Sequence, residues 1–189
     1  NIGAVNGTIL TDAPPPHINC PLEGTASTFA AAQAAAAAAL AAYNDLAGRA
    51  GAADPGANLG GLTLAPGIYA NAGGAFLLTG SDLTLDGQGN SNAVWVFQMA
   101  STLTVGAAGA PRSVILLNGA QAKNIFWQVG SSATINAAGG GTMVGTIISS
   151  AATSFSTSGN ATITTLNGRA LALNASVTMV NTVINVPAP

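Results

Sequence analysis

Along this chain a short unit keeps returning, in which a small apolar residue stands between a polar residue and a threonine. It reads Asp82-Leu83-Thr84, Thr102-Leu103-Thr104, Ser132-Ala133-Thr134, Asn160-Ala161-Thr162 and Ser176-Val177-Thr178. Successive side chains of a strand point to opposite faces. The middle residue of each triplet therefore enters a core, and its two neighbours stand outside. From Leu62 onward such short strands alternate with turn signals: Pro66-Gly67, Asp86-Gly87, Gly89-Asn90, Asn118-Gly119, Gly139-Gly140-Gly141, Ser158-Gly159 and Asn167-Gly168. The closing threonines recur after 20, 30, 28 and 16 residues (Thr84, Thr104, Thr134, Thr162, Thr178). Recurrence on this scale predicts a stacked array of coils, and its unevenness predicts coils of unequal length. Six or seven coils at about 4.8 Å each stack to about 30 Å.

The first quarter of the chain follows another pattern. Asn1–Thr11 alternates apolar and polar positions and reads as strand and turn. Ala13-Pro14-Pro15-Pro16-His17 is a connector, because proline has no N–H to give a helix or a ladder. Thr25–Ala47 is rich in alanine, the best helix former, and predicts one long helix. Thr25 or Ser27 can cap its start, Gly48 stands where a C′ glycine belongs, and Asp45 and Arg49 are spaced for an i, i+4 ion pair. At about 1.5 Å per residue this helix is about 30 Å long, the height of the stack. It can lie closely along the coils, since its faces are nearly all alanine. The expected organisation is one domain over residues 1–189: strand and proline loop at 1–24, helix at 25–48, coils at 59–187.

Composition narrows what such a stack can do. Only 5% of the 189 residues are charged, against about 25% in ordinary soluble domains. Four cations scattered through an acidic chain leave no basic footprint, which excludes nucleic acid as a partner. The apolar run Ala30–Ala42 is shorter than the roughly 20 residues of a membrane span. No secretory signal opens the chain at Asn1, as in a processed or trimmed chain. Cys20 is alone, so no intramolecular disulfide forms. One His and one Cys have no metal-ligand spacing, and no cofactor is expected.

Longer segments carry a resemblance. Ala42-Tyr43-Asn44-Asp45-Leu46-Ala47-Gly48-Arg49, Leu62-Thr63-Leu64-Ala65-Pro66-Gly67-Ile68-Tyr69, Leu83-Thr84-Leu85-Asp86-Gly87-Gln88-Gly89 and Ala93-Val94-Trp95-Val96-Phe97-Gln98 follow one another in order. The long stretch from Asn118 through Lys123 and Trp127 to Thr134, then Asn167-Gly168-Arg169-Ala170-Leu171-Ala172, complete the series. Together they resemble the DUF3494 family of microbial ice-binding proteins. The resemblance implies an irregular right-handed β-solenoid of triangular section, mostly β, with one long α-helix packed alongside. It also implies a secreted protein, without enzymatic activity, that binds the surface of ice crystals. The chain begins inside the region with which family members start, which leaves its first coil and cap open. Asn19-Cys20-Pro21 matches no motif of the family.

On that basis the expected ice-contacting residues are Thr84, Thr102, Thr104, Ser132, Thr134, Asn160, Thr162, Ser176 and Thr178, in a protein acting as a monomer. Asp82 is the weak member, because a carboxylate holds its hydration water. A second row with Thr142, Thr153 and Thr157 competes, and so does the alanine-rich helix. Cross-strand threonine pairs also stabilise sheets without any ligand. Two other classes stay open: a glycan-binding solenoid using exposed aromatics among Trp95, Phe97, Phe126 and Trp127, and a polysaccharide-cleaving enzyme. The latter needs two nearby carboxyl groups, and Asp82 with Asp86 is the available pair. Lys123 and Arg169 are expected to pin loops at solenoid corners, and Arg112 to be solvated. His17 reads as a surface loop residue.

Overall fold

The computed structural model describes residues 29–107, 109–158 and 162–188. The expectations for Asn1–Thr11, the proline connector, His17, Cys20 and the helix caps at Thr25 and Ser27 lie outside the described residues, as does Asn160. The chain divides into two compact units, Asn1–Ala42 and Tyr43–Pro189. Of the first, the described part is helical.

Helix α1 runs Phe29–Gly48. Asp45 and Arg49 form the expected ion pair at 2.7 Å. Gly48 is the last helical residue rather than the left-handed cap; the first left-handed glycine is Gly51 (φ +84°). The strands in chain order are β1 Thr63–Leu64, β2 Gly67–Ala70, β3 Phe76–Leu78, β4 Leu83–Asp86, β5 Trp95–Met99, β6 Leu103–Val105 and β7 Val114–Leu117. After a 3₁₀ turn at Ala122–Asn124 come β8 Ile125–Val129, β9 Ala133–Ile135, β10 Thr142–Ser149, β11 Thr153–Phe155, β12 Thr164–Ala172, β13 Val177–Met179 and β14 Thr182–Asn185.

All registered pairings are parallel, and the strands fall into three sheets: β1-β4-β7, β14-β12-β10-β8-β5-β2 and β13-β11-β9-β6-β3. From β1 to β9 the chain visits the three sheets in turn, as in a three-sided solenoid, and from β10 to β14 it alternates between the six-stranded and five-stranded sheets. Side chains pointing inward from all three sheets form one core. Trp95, Phe97, Leu103, Ile125, Trp127, Ile135, Phe155 and Leu166 are completely buried there. Successive strands stack their aromatics: Tyr69 on Phe97 at 5.5 Å between centroids and Phe97 on Trp127 at 4.0 Å. The indole N–H of Trp127 donates to the Val144 carbonyl (2.8 Å) and that of Trp95 to the Leu64 carbonyl (3.2 Å). Each such side chain contributes about 1.5–3 kcal/mol by burial.

The outer face of the six-stranded sheet carries an apolar patch. Val96 and Ile148 are buried there with Leu46 from the last turns of α1, and Tyr43, Ile68, Phe126 and Leu173 surround them. The Gln98 amide donates to the Leu46 and Arg49 carbonyls, both at 2.7 Å, and so ties the helix end to this sheet. The solenoid corners are closed by side-chain oxygens that accept the N–H two residues on, as in Asp54 to Gly56, Asn71 to Gly73, Asp86 to Gln88 and Asn90 to Asn92. Two of the six acidic residues, Asp54 and Asp86, serve these turns.

Candidate functional site

The five-stranded sheet carries the arrangement that the triplets predict. Register places Leu77, Thr104, Thr134, Ser154 and Thr178 side by side on successive strands. Their flanking neighbours on β3, β6, β9 and β11 point into the core: Phe76, Leu78, Leu103, Val105, Ala133, Ile135, Thr153 and Phe155 are buried. On β13, the end strand, Val177 is half-buried and Met179 is exposed. The central residues of β3, β6, β9 and β11 therefore point outward, and Thr178 is exposed at the end of the sheet.

A second column runs beside the first. Thr102, Ser132, Ala152 and Ser176 each precede the inward residue that opens their strand. The N–H of Leu103, Ala133 and Thr153 donates in turn to the carbonyls of Ser132, Ala152 and Ser176, which keeps this column in register. Ser176 Oγ lies 3.4 Å from Thr178 Oγ1, so the two columns open to the same side. Rows are about 4.8 Å apart and columns about 6.7 Å. The outcome is an uncharged surface of hydroxyls and methyls, two positions wide, on a hydrogen-bonded sheet.

Six of the nine expected residues meet here: Thr102, Thr104, Ser132, Thr134, Ser176 and Thr178. Thr84 does not. It lies on β4 in the three-stranded sheet, between Thr63 and Ile115. Its triplet has the right alternation, but the chain has already turned the corner after β3. Thr162 is exposed in the connection between β11 and β12, where its carbonyl accepts the Gly140 N–H. The place expected for the 160–162 triplet is taken by β11. The spacing of the central column is accordingly 27, 30, 20 and 24 residues, from Leu77 to Thr104, Thr134, Ser154 and Thr178.

Ser154 and Ala152 were not among the expected residues. Their strand disguises itself, because its threonine points inward: Thr153 is buried and shares a hydrogen bond with Ser149 Oγ (2.9 Å). The competing row with Thr142, Thr153 and Thr157 does not form. Thr142 is on β10 in another sheet, Thr153 is in the core and Thr157 is in a turn.

Groups considered for other chemistry are engaged in structure. Asp82 Oδ1 accepts the Ser113 N–H (2.8 Å), away from the two columns. Asp86 Oδ1 accepts from the Gln88 N–H and the Asn118 amide, both at 2.8 Å. These two bonds, the backbone one first, hold its carboxyl below the usual carboxylate range. Trp95, Phe97 and Trp127 are fully buried and Phe126 is half-buried against the helix end, so these aromatics offer no platform for stacking sugars. Arg112 is half-buried rather than solvated, with Nε enclosed and without a protein partner. Arg169 Nη2 lies 3.5 Å from the Pro187 carbonyl. Lys123 stands on the 3₁₀ turn.

A solenoid of three parallel sheets with one uncharged, hydroxyl-bearing face is the class defined so far. The profile of the ice-binding-like family matches residues 1–185, and the chain belongs to that family. An ice-binding protein of Nostoc sp. (strain HG1) is 39% identical over 180 residues, covering 95% of this chain and 61% of the Nostoc protein. The chain thus spans about three fifths of that relative's length. Among solved structures, the DUF3494 domain of Shewanella frigidimarina ice-binding protein 1 superposes with a TM-score of 0.74 at 30% identity, covering 94% of this chain and 71% of that one. The ice-binding protein of the Antarctic ascomycete Antarctomyces psychrotrophicus gives 0.74 at 34% identity, covering 88% and 77%.

Proposed function

We propose that this chain binds ice through the five-stranded sheet, with Thr102, Thr104, Ser132 and Thr134 as the contacts, and with Ser176 and Thr178 on the same face beyond Ala152 and Ser154. The observation that carries the reading is the register that stacks Thr102 and Thr104 directly beside Ser132 and Thr134 on an uncharged surface. Family membership supports it independently. The face is complete within one chain, which fits a monomer, and ice as the ligand fits a secreted protein.

The physics is that of many weak contacts made together. A threonine offers a methyl that fills a hollow in the lattice and a hydroxyl that holds an ordered water. The three threonine methyls of the β6 and β9 rows, at about 0.8 kcal/mol each, contribute about 2.4 kcal/mol, a factor of about 60 in residence. Detachment requires that all contacts break at once. Threonine is already stiff at χ1, so little freedom is lost on adsorption. Ions would hold their own hydration shells, and none of these columns carries one. Adsorbed molecules pin the ice front, growth bulges between them, and freezing is depressed locally without a colligative effect.

Thr134→Tyr tests this, because Thr134 sits in the middle of the face and points away from the core. A single ice crystal in a nanolitre osmometer should show a gap between melting and growth temperatures, with faceting, for the parent protein. The variant, shown by circular dichroism to be folded, should lose most of both. A folded variant with undiminished gap and shaping removes this face.

A further inference from the structure

The face is not uniform, and its fourth row is the exception. The β6 row presents Thr102 and Thr104, the β9 row Ser132 and Thr134, and the β13 row Ser176 and Thr178. The β11 row presents Ala152 and Ser154. Alanine has no hydroxyl, and Ser154 has no methyl. The Ser154 hydroxyl, moreover, is turned back to the sheet, with Oγ 3.5 Å from the Ala133 carbonyl of the row before. On the other side, the β3 row presents an apolar, 39% exposed Leu77 beside Thr104. Two hydroxyl-rich rows, β6 and β9, are therefore bounded on both sides by rows that offer ice no outward hydroxyl.

We propose that the working patch is the β6–β9 block, and that Ala152 and Ser154 set the strength of binding by separating this block from the β13 row. The proposal rests on the assignment of ice binding to this sheet. Contacts act together only when they lie on one continuous template. Ser176 and Thr178 stand two rows, or about 10 Å, beyond Thr134. Any ordered water they hold is joined to that over Thr134 only across a row that anchors none. In the present chain they contribute little. Filling the row should recruit them.

Four variants decide the matter by thermal hysteresis at equal protein concentration, each checked for fold by its melting curve: Thr134→Tyr, Thr178→Tyr, Ala152→Thr with Ser154→Thr, and the last pair combined with Thr178→Tyr. The expected results are a near-complete loss for Thr134→Tyr and a loss of less than about twofold for Thr178→Tyr. The filled face should gain, each added methyl slowing detachment by about fourfold. In the filled background Thr178→Tyr should become costly. If the double substitution does not fold, Ser154→Thr alone carries the test, since threonine suits an outward strand position. Equal losses for Thr178→Tyr and Thr134→Tyr in the parent background overturn the division of the face. So does a filled face without gain. An undiminished Thr134→Tyr overturns the underlying assignment instead, so the two failures are distinguishable.

Discussion

Asn136 gives a direct test of what holds together the loops beside this face. It follows β9, one residue beyond Ile135 and two beyond Thr134. It is 1% exposed and has φ +44°. Its carboxamide closes three hydrogen bonds: Oδ1 accepts the Arg112 N–H (2.9 Å), and Nδ2 donates to the carbonyls of Arg112 (2.9 Å) and Gly140 (2.8 Å). Gly106 and Gly141 leave room for it, since a Cβ on either would run into the amide. One side chain thereby ties the loop after β6 to the loop after β9. Asn136→Ala leaves the Arg112 N–H and C=O without these partners, at about 1 kcal/mol each at a half-buried site. The Gly140 carbonyl keeps the Thr164 hydroxyl at 3.2 Å, so its loss is smaller. Alanine also tolerates the left-handed backbone less well than asparagine, at about 1 kcal/mol. The total is about 3 kcal/mol, or about 6–12 °C in melting temperature for a chain of this size. Thermal unfolding followed by far-ultraviolet circular dichroism reads it. Asn136→Gly should recover about 1 kcal/mol by relieving the left-handed strain alone. A loss below about 0.5 kcal/mol for Asn136→Ala, the range of an ordinary surface change, would refute the argument.

Three further outcomes concern a buried corner serine, the two shifted groups and the uncharged columns. Ser156 is buried in a left-handed conformation (φ +51°), and its Oγ has no protein partner. Ser156→Gly should therefore raise stability by about 1 kcal/mol, or about 2–4 °C; an unchanged or lower melting temperature contradicts this. The Asp86 carboxyl is held low in the folded chain, so its stabilisation is present above the unfolded value of about 4 and is lost as pH falls through its folded value. Burial raises the Tyr69 hydroxyl, so its contribution is intact below about pH 10 and is lost as pH rises beyond that. Melting temperature should be flat between these limits and fall outside them. Thermal hysteresis should not change from about pH 5 to 9, since no residue of the two columns titrates there; a bell-shaped hysteresis profile would show that a charged group contacts ice.

Much of the architecture was legible because local and global preferences agree. Strands as short as three residues could be read from one apolar residue between polar ones, since the core side is apolar almost throughout. Corners such as Asn118-Gly119 could be read from glycine and asparagine, since they require positive φ; Asn167-Gly168, with the same signal, instead lies inside β12. The alanine helix and its Asp45–Arg49 pair follow from propensity and spacing. Sheet membership was harder. Thr84 and Thr104 have the same local pattern, and only the length of chain consumed at each corner sends one to the three-stranded sheet and the other to the five-stranded one. That length is set by loops such as the one Asn136 clamps, and no period-2 pattern reports it.

The β11 strand shows where such a reading must fail for a physical reason. Alternation assigns inside and outside only while hydroxyls face water. Thr153 reverses this. Its hydroxyl is satisfied inside by Ser149, so a polar side chain occupies a core position without the cost of an unpaired donor. Its outward neighbours are then Ala152 and Ser154, which carry no threonine signal in the sequence. The residue that made this strand invisible as a row of the face is thus the one that turned its smaller side chains outward. The weakest row of the face and the row hidden from the sequence have a single cause, the Ser149–Thr153 pair.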